Sequence, residues 1–135
     1  MYKNIFDTHA HYEDEQFDCD RDELLSSFPE NGISGVVTCG TDIITSEKSI
    51  ALAEKYPFIY AAVGFHALNL DSLTADWCGD IKKLAARKKV VAIGEIGLDY
   101  HYERDSREKQ LEVFEKQLVQ PERSEERRVG KECRS

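Results

Sequence analysis

The chain of 135 residues carries 18 lysines and arginines against 26 aspartates and glutamates, a net charge of −8. That balance excludes a general electrostatic grip on nucleic acid, which depends on basic side chains displacing counterions from phosphates, so a polyphosphate substrate would need bound cations or a local basic patch. No run of eighteen apolar residues occurs and the N-terminus has no apolar signal core, which argues against a membrane span and predicts a cytoplasmic protein of one domain. Cys19, Cys39, Cys78 and Cys133 have neither disulfide-framework nor zinc-pair spacing and are expected as reduced thiols.

Ile5-Phe6 begins a strand, and Asp7-Thr8-His9-Ala10-His11 follows it directly. Side chains two apart on a strand share a face, so His9 and His11 can aim two imidazoles at one point, as metal ligands do. The alternative is a pair of hydrogen-bonded core histidines. Asp18 or Asp20 caps a short helix through Leu24, Leu25 and Phe28 that Pro29 and Asn31-Gly32 stop. A second strand spans Ile33–Cys39. Thr45 is expected to cap a helix carrying Ile50, Ala53 and Tyr56, and Ile59–Val63 reads as a third strand leading into Gly64-Phe65-His66.

Thr74 opens the next helix, through Trp77, Ile81 and Leu84 to Arg87-Lys88-Lys89, a basic last turn that complements the helix dipole rather than a DNA patch. Strand four is Val90–Glu95, within Gly94-Glu95-Ile96-Gly97-Leu98-Asp99-Tyr100. Glu95, closing an apolar strand, would be costly without a charged partner, and as a hard oxygen ligand it can bridge two cations. His101 sits on a polar loop where an exposed histidine without a role is expected. From about Ser106 a last helix places Leu111, Phe114 and Leu118 at spacings of three and four. Strands alternating with helices, apolar on both faces, predict an α/β fold with a parallel sheet, and candidate ligands at strand C-terminal ends favour a (β/α) barrel.

These motifs resemble the TatD-type metal-dependent deoxyribonucleases of the amidohydrolase superfamily. The resemblance rests on Asp7-Thr8-His9-Ala10-His11, Ala62-Val63-Gly64-Phe65-His66, Gly94 to Tyr100, and Gln110, Phe114, Gln117 and Leu118, and it covers Ile5 to about Leu118. It implies a truncated (β/α)8 TIM-type barrel comprising about the first four units, with one or two divalent ions (Mg, Mn or Zn) on His9, His11 and Glu95. Catalysis would depend on Glu95, His66 would face the substrate phosphate, and DNA strand ends would be the substrate. His66 could instead simply cap its strand. Asp7 is expected to orient the histidine strand and Asp99 to support Glu95 or its loop. The family's later ligands, two histidines and an aspartate, have no counterpart, and Ala67 stands where a proline is usual.

The resemblance divides the chain into residues 1–120, the N-terminal half of a metallohydrolase barrel, and a non-native-looking tail, residues 121–135. From Arg123 onward the tail resembles the translation of a sequencing adapter. The implied activity is hydrolysis of DNA phosphodiester bonds, with the fragment inactive alone. The rival readings are amidohydrolysis of a C–N bond and a non-catalytic fragment.

Overall fold

The computed structural model describes residues 2–119, so the tail lies outside the described residues. Four strands, β1 (Ile5–Ala10), β2 (Ile33–Cys39), β3 (Ile59–Val63) and β4 (Val90–Ile93), form one parallel sheet in the order β1-β2-β3-β4. The crossovers carry the helices α1 (Arg21–Ser26), α2 (Ile43–Lys55) and α3 (Trp77–Ala85), and α4 (Arg107–Leu118) follows β4. Parallel neighbours require such crossovers, and strands laid down in sequence order are what a (β/α) barrel needs.

Register runs from Ile5 opposite Ile33, through Val36 opposite Ile59, to Val63 opposite Ile93. Between Asp7 and Ala10, three residues along β1 accompany two along β2, so the strand carries an irregularity at the position of His9. The main core lies between the sheet and α1 and α2, with Leu25, Val36, Ile50, Ile59 and Val63 almost wholly buried. A second cluster, Phe65, Leu70, Ile81 and Val113, packs under the C-terminal edge.

Four local expectations need correction. Asp42, not Thr45, is the N-cap of α2: its carboxylate accepts the Thr45 N–H at 2.8 Å while the Thr45 hydroxyl accepts the Asp42 N–H at 3.1 Å. This is a reciprocal box, and both residues are good caps, so composition alone did not separate them. Thr74 precedes α3, which begins at Trp77, and spends its hydroxyl on the Asp80 carboxylate at 2.9 Å; the helix ends at Ala85, so Lys82 and Lys83, not Arg87-Lys88-Lys89, are the basic residues of its last turn. β4 ends at Ile93, leaving Glu95 just past the strand. In α4, Leu111 and Leu118 are exposed, and the buried face is Gln110, Val113 and Gln117. The two glutamine amides are inside because each bonds the backbone of a loop, as the site makes clear.

Gly40, directly after β2, touches the start of α2. A Cβ there would stand 2.2 Å from Ser46 Oγ and 2.5 Å from Ser46 Cα, closer than atoms pack. Gly40→Ala is therefore expected to cost about 1–3 kcal/mol, the usual range for overpacking, read as a lowered urea midpoint.

Candidate metal centre

The C-terminal edge of the sheet gathers the chemistry. His9 lies in β1 and His11 one residue beyond its end, while Glu95 follows β4 and is held there by its own N–H donating to Gly40 O at 2.7 Å. Their functional atoms form a small triangle: His9 Nε2 to His11 Nε2 is 3.2 Å, and each lies 3.1 Å from Glu95 Oε2. The edge-on rings of the two histidines have centroids 5.1 Å apart.

The tautomer of His11 follows from its other nitrogen. Nδ1 faces Cys39 O at 2.8 Å, and a carbonyl only accepts, so Nδ1 carries a proton, and a cation that displaces the second proton would meet the lone pair of Nε2 at the triangle. Two imidazole nitrogens and a carboxylate oxygen at such separations repel one another unless a proton or a cation sits among them. The hydrogen bond to Glu13, followed by that to Glu95, pushes the His11 pKa up to about 10. Glu95 is drawn down to about 2, first by its hydrogen bond with His11 and then by the charges of His66 and His9. The cluster thus collects positive charge strongly, and its two nitrogens and one carboxylate oxygen fit a divalent cation. Cys39, next to it, adds no sulfur ligand: burial, with the charge of Glu95, pushes its thiol up to about 12.

His66 uses both ring nitrogens. Nδ1 accepts the Leu68 N–H at 3.1 Å, which caps the 3-10 turn Ala67–Ser72, so in the neutral ring Nε2 bears the proton; it lies 3.4 Å from Glu95 Oε1. It is therefore a hydrogen-bond donor at the edge of the triangle. Gln117 secures this placement by gripping the neighbouring Phe65 at both ends, its Oε1 accepting the Phe65 N–H at 2.7 Å and its Nε2 donating to Phe65 O at 3.1 Å. Gly64 leaves room for this approach, since a Cβ there would lie 3.0 Å from Gln117 Oε1.

Asp7 accepts the His9 N–H at 3.1 Å, so its carboxylate contacts the histidine strand's backbone. Asp99 accepts the N–H groups of His101 and Tyr102 at 3.4 and 3.2 Å and thus folds its own loop. Sequence reasoning missed Glu13. This nearly buried carboxylate takes the Thr38 hydroxyl at 2.6 Å and stands 3.3 Å from His11 Nδ1, bracing the ring from behind. The only sequence signal was an acid two residues after His11, and its partner on β2 is far along the chain.

The family model described as TatD related DNase matches residues 6–125. The metal-dependent hydrolase YabD of Bacillus subtilis, itself described as uncharacterized, is 40% identical over 115 residues, 85% of this chain and 45% of the relative. A protein of Pantoea ananatis named 3'-5' ssDNA/RNA exonuclease TatD is 31% identical over 116 residues, again 85% of this chain and 45% of the relative. Among solved structures, the TatD homologue YjjV of Escherichia coli K12 superposes with a TM-score of 0.75 at 30% identity, covering 84% of this chain and 45% of that one. A TatD family hydrolase from Entamoeba histolytica superposes at 0.78 with 24% identity, covering 88% of this chain and 46% of that one, a likeness of fold. The four-stranded sheet thus corresponds to an arc of a TIM-type barrel, and the chain spans about half the length of the relatives it matches. With the match extending over most of its length, the chain belongs to the TatD related DNase family.

Proposed function

We propose that the chain is the metal-binding half of a divalent-metal-dependent hydrolase that cleaves phosphodiester bonds at the ends of single-stranded DNA. The observation that carries this reading is the convergence of His9 Nε2, His11 Nε2 and Glu95 Oε2 on one point beside a histidine N–H donor. His9, His11 and Glu95 would hold one divalent ion, with Glu95 available to share a second; magnesium, manganese and zinc all accept nitrogen and oxygen donors to differing degrees. When bound, such an ion supplies Lewis acidity toward a phosphoryl oxygen and toward water.

The chain's own residues do the rest. Cys39 O and Glu13 fix the His11 ring, Asp7 holds the His9 backbone, and His66 Nε2–H, 3.4 Å from Glu95 Oε1, would donate to an anionic oxygen of the substrate. Relatives named ssDNA/RNA exonucleases support nucleic acid as the substrate class. A cytoplasmic setting agrees with free Cys19, Cys39 and Cys78, and no helix among the described residues is long and apolar enough to cross a membrane.

The test joins residues 1–119 to the remaining part of the B. subtilis relative, completing the barrel. The chimera should release nucleotides from end-labelled single-stranded DNA with added Mn²⁺ and stop with EDTA, while the 135-residue chain alone shows no turnover. Cleavage of small amides in place of DNA would favour C–N hydrolysis and defeat the proposal. For the unaltered chain, Glu13→Ala is expected to weaken Mn²⁺ binding about 10- to 100-fold by calorimetry, the usual effect of removing a carboxylate that braces a ligand histidine. An unchanged affinity would leave the Cys39 carbonyl as the sole support of the ring.

A further inference from the structure

Beyond Glu95 the chain builds a second feature on the same edge of the sheet. The loop after β4 displays Leu98, Tyr100 and Tyr102 at 41%, 46% and 69% exposure. Hydrogen bonds tie this loop to α4. Gln110, almost wholly buried, accepts the Asp99 N–H at 2.7 Å and donates to Asp99 O and Asp105 O at 2.9 and 3.0 Å, while the Asp99 carboxylate takes the N–H groups of His101 and Tyr102. The Arg107 guanidinium lies over the Tyr100 ring, 4.4 Å from its centroid, and is itself held by Glu103. The His101 and Tyr102 rings meet edge to face at 4.5 Å.

Resting on the nuclease reading of the metal centre, we infer that Tyr100, backed by Arg107, and Tyr102 form a stacking platform for the bases of a single-stranded nucleic acid whose scissile phosphate lies at His9, His11 and Glu95. A chain of net charge −8 gains little from attraction to phosphates, and the charges of the loop largely cancel, with Arg107 on Glu103 and Lys109 on Asp105. Grip on the strand must then come from the faces of the bases, which aromatic rings and guanidinium planes hold without reading sequence. Tyr100 stands five positions after Glu95, on the loop that follows the C-terminal end of β4, the end of the sheet at which His9, His11 and Glu95 meet.

Equilibrium binding of fluorescein-labelled dT8 to the 135-residue chain, compared with an abasic octamer of the same length in low-salt buffer, tests this. The chain should bind dT8 at least about fivefold more tightly than the abasic strand. Tyr100→Ala and Tyr102→Ala should each narrow the gap, Tyr100→Phe should preserve it, and Tyr2→Ala, an exposed tyrosine ahead of β1 at the opposite end of the strands, should leave it unchanged. Equal affinity for both octamers, or a gap indifferent to both alanine variants, would overturn the platform while leaving the nuclease reading standing. Absence of binding to either octamer at millimolar chain would overturn the platform as well, and inactivity of the chimera on single-stranded DNA would separately defeat the nuclease reading.

Discussion

Glu95→Gln in the completed barrel is expected to reduce hydrolysis of single-stranded DNA by about a thousandfold or more. The substitution keeps the side chain's volume and its backbone bond to Gly40 O, and removes the negative charge against which His9, His11 and His66 are all arranged. Lewis-acid stabilisation is worth several kcal/mol, and three decades of rate correspond to about 4 kcal/mol, so the magnitude follows if the carboxylate is what retains the cation. Unfolding midpoints should change little, because Glu95 is partly exposed at the sheet edge. A loss of rate under about tenfold would show that the charge of Glu95 is dispensable.

Phe65→Ala is expected to be the most destabilising single change near the site, at about 3–5 kcal/mol, with a fall in thermal midpoint of roughly 10 °C or more. The ring is 1% exposed, packs with Leu70, Ile81 and Val113, and meets Trp77 edge to face at 5.9 Å. Its backbone is gripped by Gln117, so the cavity would loosen the segment that sets His66. Phe65→Leu should recover much of the loss. Urea denaturation of the three proteins reads the order directly, and a cost below about 1 kcal/mol for the alanine variant would mean that the second cluster contributes little to the fold.

The alternation of apolar strands with capped helices was legible from local pattern because it is written within ten residues at a time: Ile33–Cys39 and Ile59–Val63 match their strands to the residue. The convergence of His9, His11 and Glu95 was legible because a strand end places chemistry at one edge. A strict period of two does not by itself place the histidines, since β1 is irregular between Asp7 and Ala10 and His11 lies outside it. What stayed hidden depends on long-range partners. Gln110 and Gln117 look like surface residues of a helix, and only the loops at Asp99 and Phe65 give their amides a reason to be buried. Glu13 likewise acquires its place from Thr38, twenty-five positions on.

The central claim, that one cation site is built from β1 and the end of β4, is tested most directly by Mn²⁺ titration of the unaltered 135-residue chain and of His9→Ala, His11→Ala and Glu95→Gln, followed by calorimetry. Saturable binding to the parent chain, weak because three ligands leave the ion open to solvent, should be lost in each variant while circular dichroism remains unchanged. Equal affinity in all four proteins would place the metal elsewhere and contradict the account.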